Sequence, residues 1–505
     1  MEKKLLPFVL IFLFALGYGV WTMGWDVLNP KSLWLVLNGN DPTCHHLASV
    51  FFRNEGWHFP LGRIETQNIA QTTSIGLTDS IPLVALSLKL FGISGNFQYL
   101  GLWQLFCLIL MGIFGVLWAQ KWTPSPLLQV LAATFLVASP LVLFRMSVHA
   151  ALCAQWLVLA GLWLYQKPWR TMPWAFLVAL AALIHPYFLA MLLGFAFFKT
   201  FYSKKYLPFL FLLALAAILI YAAGYLEGDS LQAGGFGHPR ARPYSFFLPW
   251  LHEYSLFLGL GILALAALLL FKRPKNIAFL NAESKGLLPC VFLMLLFAFL
   301  TPRFARLWLV GDIFQMFRAN VRFGWPFAYL AMLFVVAGII QSFPKKTAAL
   351  LLAAALFWQL SPLHPFGDIY GQFRHMMAER RANSPEALST LEPFARNNNT
   401  LLLLSQKMAD EYYDYVFAAT PFARYAAENK LRSNFLCQGH PDVDAALQFQ
   451  KEIFEKLQKG VRAPNTFYVF LNDYEPNFLK ENLPEHLKNE IIFFENYSVL
   501  PALKN

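Results

Sequence analysis

The apolar residues of this chain come in blocks of roughly 15–20, close to the length that crosses a bilayer as a helix. The blocks recur from the N-terminus to about residue 360, with short polar or basic loops between them. In hydrocarbon every backbone N–H and C=O must be satisfied within its own segment, so such blocks are restricted to helices. Composition agrees. A soluble domain would carry about 25% charged residues, whereas this chain of 505 residues is 14% charged and 57% hydrophobic. The fold class predicted is a polytopic α-helical membrane protein.

Eleven spans are predicted, near 5–24, 97–119, 126–144, 150–166, 172–184, 187–199, 206–225, 254–271, 286–301, 325–342 and 346–360. The first lacks a small-residue cleavage site, and Trp21 and Trp25 mark an interfacial belt, so it reads as a retained signal anchor. His185-Pro186 divides 172–199 into two short helices, because proline breaks a helix and pushes its predecessor out of the helical region. With the N-terminus cytoplasmic, the cytoplasmic loops then receive 14 basic residues and two acids, and the opposite face 11 basic and nine acidic residues. That is the positive-inside pattern.

The predicted domains are a membrane domain, 1–360, with a first extracytoplasmic loop at 25–96, and an extracytoplasmic tail, 361–505. The tail holds 15 basic and 18 acidic residues of the chain's 40 and 29, so the excess positive charge lies in the membrane part. This suits anionic lipid and an oriented membrane protein, and gives no sign of nucleic acid. "NTLLLL", "NTFYVFLN" and "NEIIFFENYSVL" read as strands and "DAALQFQKEIFEKLQKG" as an amphipathic helix stopped at Gly460, which makes the tail a small α/β domain. The five cysteines show neither metal-ligand spacing nor a disulfide framework. Cys44 and Cys437 can meet outside the membrane, but the sequence gives no reason to expect a bond between them.

No acid falls within a predicted span, which disfavours an ion-coupled transporter. Chemistry-bearing residues gather in the outer loops. In "DPTCHHLASVFFRNEG" Asp41 is a good N-cap and Pro42 a good first helical residue. Leu47, Ala48, Val50 and Phe51 form an apolar stripe, Gly56 ends the helix, and His45 follows Asp41 by one turn. This helix is expected along the outer membrane surface. Asp41 serves equally as a plain cap.

These residues resemble the GT-C glycosyltransferases. The shared features are an Asp soon after the first span, an amphipathic helix, the "EGWHFP" turn, and "TDSIPLVALSLKLFG" at 78–92 with Asp79 at a position often charged. The match is closer to uncharacterised bacterial GT-C-like proteins with "TDSIP", "FQYLGLW" and a tail element like "TPFARYAAENKLRSN". The resemblance implies a GT-C-like fold, Asp41 as general base, and a donor sugar on polyprenyl phosphate. The chain departs from several of these families in having "DP" where they have two adjacent acids, which argues against a metal; no metal and no cofactor are expected.

A leaving phosphate calls for fixed cations, and arginine suits it because its fork donates in pairs. The candidates are Arg303, Arg306, Arg318 and Arg322 between 301 and 325, with Arg145 and His149 in "FRMSVHA". Further possible site residues are His45, Asp79, His185, His238, Arg240 and Arg242. Arginines at this face also bind lipid headgroups. The function expected is an inverting glycosyltransferase of the bacterial inner membrane. It would move one sugar, glucose being the first guess, onto an extracytoplasmic acceptor such as O-antigen or another surface polysaccharide or glycolipid. The alternatives are a lipid-linked-glycan flippase or transporter, and an O-antigen polymerase or ligase.

Overall fold

The computed structural model describes residues 2–37, 41–227, 240–248, 255–274, 277–300, 317, 319–362, 368–382, 388–396, 398–406, 412–438 and 441–503. The chain divides into two compact units: 1–29, 100–219 and 231–379 form one, and 30–99, 220–230 and 380–505 the other.

The first unit is helical. Each of the eleven apolar segments contains a helix: α1 (Glu2–Met23), α4 (Leu100–Ala119), α5 (Pro126–Val137) with α6 (Pro140–Val148), α7 (Trp156–Tyr165), α8 (Thr171–Ile184), α9 (Pro186–Tyr202), α10 (Tyr206–Ala222), α11 (Leu260–Lys272), α12 (Leu287–Phe299), Trp325–Ser342 and Lys345–Leu360. Among the described residues four helices are long and apolar enough to cross a membrane: Lys4–Met23, Leu100–Ala119, Ala282–Phe299 and Asn320–Ser342. The bent pair of α5 and α6 makes a fifth if counted as one broken span, and the other apolar helices are shorter. The chain is therefore a helical protein with membrane-length apolar helices.

Proline sets several helix starts. It opens α5, α6 and α9, where its missing N–H costs nothing. His185 is extended (φ −167°, ψ 136°), as a residue before proline should be, and its Nδ1 accepts the Tyr187 N–H at 3.2 Å. The break expected at 185–186 is thus a real helix boundary with its own side-chain cap. The 47° bend between α5 and α6 leaves the Ala138 carbonyl without a helical partner. Gln359 Nε2 donates to it at 3.0 Å and Tyr370 Oη at 2.8 Å, so a broken helix is tolerated where side chains take over its backbone bonds. Small residues let helices close up: a Cβ on Gly115 would lie 2.8 Å from the Ala133 backbone.

The second unit is α/β. Strands β1 (Arg63–Ile64) and β2 (Thr73–Ser74) pair antiparallel. Strands β3 (Thr400–Leu404), β4 (Arg432–Ser433), β5 (Thr466–Leu471), β6 (Ile492–Phe493) and β7 (Tyr497–Leu500) form one sheet in the order β4-β3-β5-β7-β6. The first three are parallel, β7 runs antiparallel to β5, and β6 pairs antiparallel with β7 at the edge. Every residue of β3 and β5 is buried, the pattern of central strands covered on both faces. The amphipathic helix runs over Val443–Gln458, capped by Asp442 Oδ1 accepting from Ala445 N at 3.0 Å, and Gly460 follows it at φ +77°. "NEIIFFENYSVL" is a hairpin rather than the single strand expected.

Three further expectations are corrected. The first loop, assigned to the membrane domain, belongs to the same compact unit as the tail, and the boundary expected at 360 falls after Glu379. Residues 66–69 run along the outside of β4: Ser433 N donates to Thr66 O at 2.7 Å and Ile69 N to Ser433 O at 2.9 Å. They cover an edge that would otherwise offer unpaired backbone. Second, Cys44 and Cys437 form a disulfide, with Cα atoms 5.2 Å apart. Third, α2 (Asp41–Asn54) is buried at eleven of its 14 positions. It packs on helix Tyr412–Glu428 of the tail, so it is a core element of its unit rather than a helix lying on a membrane surface.

Candidate active site

In the second unit α2 starts at Asp41, one residue before the Pro42 start that the Asp-Pro pair predicts. A helix N-terminus presents unpaired N–H groups and a partial positive charge, which favour a carboxylate. The half-buried Arg380 guanidinium adds a full charge. Burial lowers its pKa from the ordinary arginine value, and the Asp41 carboxylate acts against that shift. By reciprocity the arginine favours ionised Asp41.

One turn on, His45 is buried, and burial holds its imidazole neutral with a pKa near 3. It lies against the "TDSIP" turn. There Asp79 (φ +50°) and Ile81 (φ +52°) are both left-handed, which for a β-branched residue costs about 1–3 kcal/mol. Neighbouring bonds hold the turn. The Thr78 and Ser80 hydroxyls are 2.9 Å apart, Ser80 Oγ donates to the His45 carbonyl at 2.8 Å, and Tyr99 Oη donates to the Ser80 carbonyl. The outcome is an Asp79 carboxylate oxygen and a His45 ring nitrogen within 4.8 Å of one another, with the Asp79 charge also acting on Tyr225. The pair offers two ligand atoms; a bound metal would need at least one more.

The same unit explains the "EGWHFP" turn. Lys89 Nζ donates to the Gly56 carbonyl at 2.7 Å and sits 3.9 Å from the Phe52 ring centroid and 4.8 Å from that of Trp57. Its pKa falls to about 8 through burial, opposed by Glu55. Gly62 lies so close to Ala223 of the same unit that a Cβ there would meet the Ala223 carbonyl at 2.1 Å, so only glycine fits.

In the first unit the aromatic side chains Phe144, Trp325 and Tyr187 carry two buried arginines, with Phe188 against Trp325 and Phe323 against Tyr187. The Arg145 guanidinium lies 4.7 Å from the Phe144 ring and 5.5 Å from that of Trp325. Arg322 lies 4.6 Å from the Tyr187 ring, whose hydroxyl accepts from Ala319 N at 2.8 Å. Trp325 touches Phe188, and Tyr187 touches His185. Aromatic faces hold a guanidinium by cation–π attraction while leaving its planar donors directed outward at the edge. His149 ends α6 one turn after Arg145, its N–H on the Arg145 carbonyl at 2.9 Å.

Arg145, Arg322 and His185 thus belong to one aromatic cluster, with His149 beside Arg145. Asp41, His45 and Asp79 gather in the other unit. Arg242 is exposed and engaged by its own neighbour, Nη1 to Tyr244 Oη at 2.5 Å, and Arg240 is half-buried; neither joins these groups through a described contact. Arg303, Arg306, Arg318 and His238 lie outside the described residues. The sequence reading missed Arg380, Tyr225 and Lys89. Each reaches its place through long-range packing, and no local pattern announces it.

Fold and site together define a helical protein with membrane-length apolar helices and an α/β unit in which half-buried acids lie near a buried imidazole. Residues 12–364 match the family described as a domain of unknown function, DUF6311, and the chain belongs to that family. No curated protein matches it. The matched stretch contains Asp41, Asp79, Arg145 and Arg322, and ends before Arg380 and the sheet of the tail.

Proposed function

We propose that this protein is an inverting GT-C-type glycosyltransferase, with eleven spans, that moves one sugar from a polyprenyl-phosphate donor to an extracytoplasmic glycan or glycolipid. The observation that carries the reading is Asp41. It is the first residue of the first α-helix in the long loop that follows a membrane-length helix, with a guanidinium acting on it. A base must be ionised at the working pH and accept a proton within reach of the reacting hydroxyl. Asp41 takes the acceptor's hydroxyl proton as that oxygen attacks the anomeric carbon. The bond from that carbon to the phosphate oxygen breaks, its electron pair leaves with the phosphate, and one in-line displacement inverts the centre. Arg145 and Arg322 are the described cations suited to the departing charge, and Arg303, Arg306 and Arg318 share that role by sequence. The disulfide supports an oxidising compartment for the tail, in line with the charge asymmetry and a bacterial inner membrane.

Asp41→Asn tests the assignment. Asn begins a helix about as well as Asp but takes no proton at neutral pH. Expression and thermal stability should stay near wild type while turnover falls about 10²–10⁴-fold. Transfer at the wild-type rate would remove Asp41 as base and turn attention to Asp79.

A further inference from the structure

The tail contains a second site that the transferase chemistry does not use. Strand β3 is followed in sequence by β4 on one side of it and then by β5 on the other. The chain therefore winds both ways from β3, and the C-terminal ends of β3 and β5 flank a topological switch point. In open α/β sheets that crevice is where ligands bind. Here it holds a cavity of about 300 Å³ lined by Ser405, just past β3, Tyr474, just past β5, and one face of helix Val443–Gln458.

The lining has a definite chemistry. Ser405 Oγ donates to Asp473 Oδ2 at 2.6 Å, which fixes the hydroxyl and leaves its oxygen as an acceptor. Ser405 N donates to Gln450 Oε1 at 2.8 Å, which seats that buried amide at the floor. Gln406 and Gln458 add two more amides, and an amide both donates and accepts. Tyr474 and Phe454 form an aromatic wall, their centroids 5.5 Å apart and both within 5.8 Å of Phe478. The cavity's charges are one of each sign, Lys451 and Glu455, and Asp473 adds a carboxylate behind Ser405. The segment after β3, "SQKMADEYYD", has no glycine and carries three acids, so it cannot make the glycine-rich cradle that binds nucleotide phosphate.

We propose that this crevice binds a neutral carbohydrate. Sugar hydroxyls donate and accept together, which amides and a fixed serine oxygen match. The apolar C–H face of a sugar ring lies on an aromatic face, which Tyr474 and Phe454 supply. An anionic ligand is disfavoured by Asp473 and Glu455. The inference goes beyond the transferase reading and its test involves no sugar transfer.

The test uses the full-length protein in lipid nanodiscs, because many detergents carry sugar headgroups. The probe is an array of neutral hexose oligosaccharides with acidic oligosaccharides and nucleoside diphosphates for comparison. Wild type should retain neutral glycans. Tyr474→Ala and Gln458→Ala should each weaken retention about tenfold or more, the range of one to two lost contacts. Gln458 is exposed, so its variant keeps the fold and a loss there is a loss of binding. No retention of any neutral glycan by wild type, retention unchanged in both variants, or preference for the acidic or nucleotide probes would each overturn the proposal.

Discussion

Single residues here act through partners far away in sequence. His46 is the clearest case. It is buried, and its Nε2 meets Asn96 Oδ1 at 3.0 Å. Asn96 Nδ2 donates to Glu428 Oε1 at 2.5 Å, and Glu428 pairs with Arg424 at 2.7 Å, so the histidine anchors the first loop to the tail. Burial lowers its pKa from 6.5 to about 3; the Asn96 bond raises it, and Arg53 and Arg424 lower it further. A depressed histidine pKa means that the unfolded chain takes the proton first. The stability is fully present above about pH 6.5 and is lost as pH falls toward 3, at up to about 1.4 kcal/mol per pH unit. The unfolding temperature should therefore drop between pH 7.5 and 5.5, and His46→Gln should flatten that drop. An unchanged slope in the variant would show that His46 does not carry the dependence. The sequence marked Asp41, His45 and Asp79 because acids and imidazoles stand out in an apolar chain. It could not mark Arg380, since nothing local to residue 380 points to residue 41.

At the scale of elements, local signals served well. Periodicity and proline located a helix in each apolar segment, although 126–144 is two helices bent by 47° and the helix predicted from 254 begins at Leu260; the start of α2 lies one residue before the Pro42 that the Asp-Pro pair marks. The strands "TLLLL" and "TFYVFL" were legible as short buried runs. The place of α2 was not. Its sequence has an apolar stripe and two histidines, which suits a membrane surface as well as a protein core, and only the helix at 412–428 decides between them. The Cys44–Cys437 bond reflects the same packing across 393 residues of chain. In denatured protein without reductant, thiol labelling should find three cysteines, Cys107, Cys153 and Cys290, and with reductant all five. Cys44→Ser should cost about 2–4 kcal/mol in the unit it closes. Five labelled thiols before reduction would refute the bond.

For the whole molecule, composition and block length were enough for a helical protein with membrane-length apolar helices, because hydrocarbon permits few alternatives. Chain order misled about the units: the first loop is sequentially inside the helical part and belongs to the compact unit of the tail. A transferase and a lipid-linked-glycan transporter would both need apolar helices and basic outer residues, so only the reaction separates them. The deciding measurement gives purified protein in proteoliposomes a polyprenyl-phosphate hexose, labelled in the sugar, with a surface-polysaccharide acceptor. The account predicts label covalently on the acceptor and free polyprenyl phosphate released in equal amount. Label that crosses the bilayer while remaining on the polyprenyl carrier would contradict it.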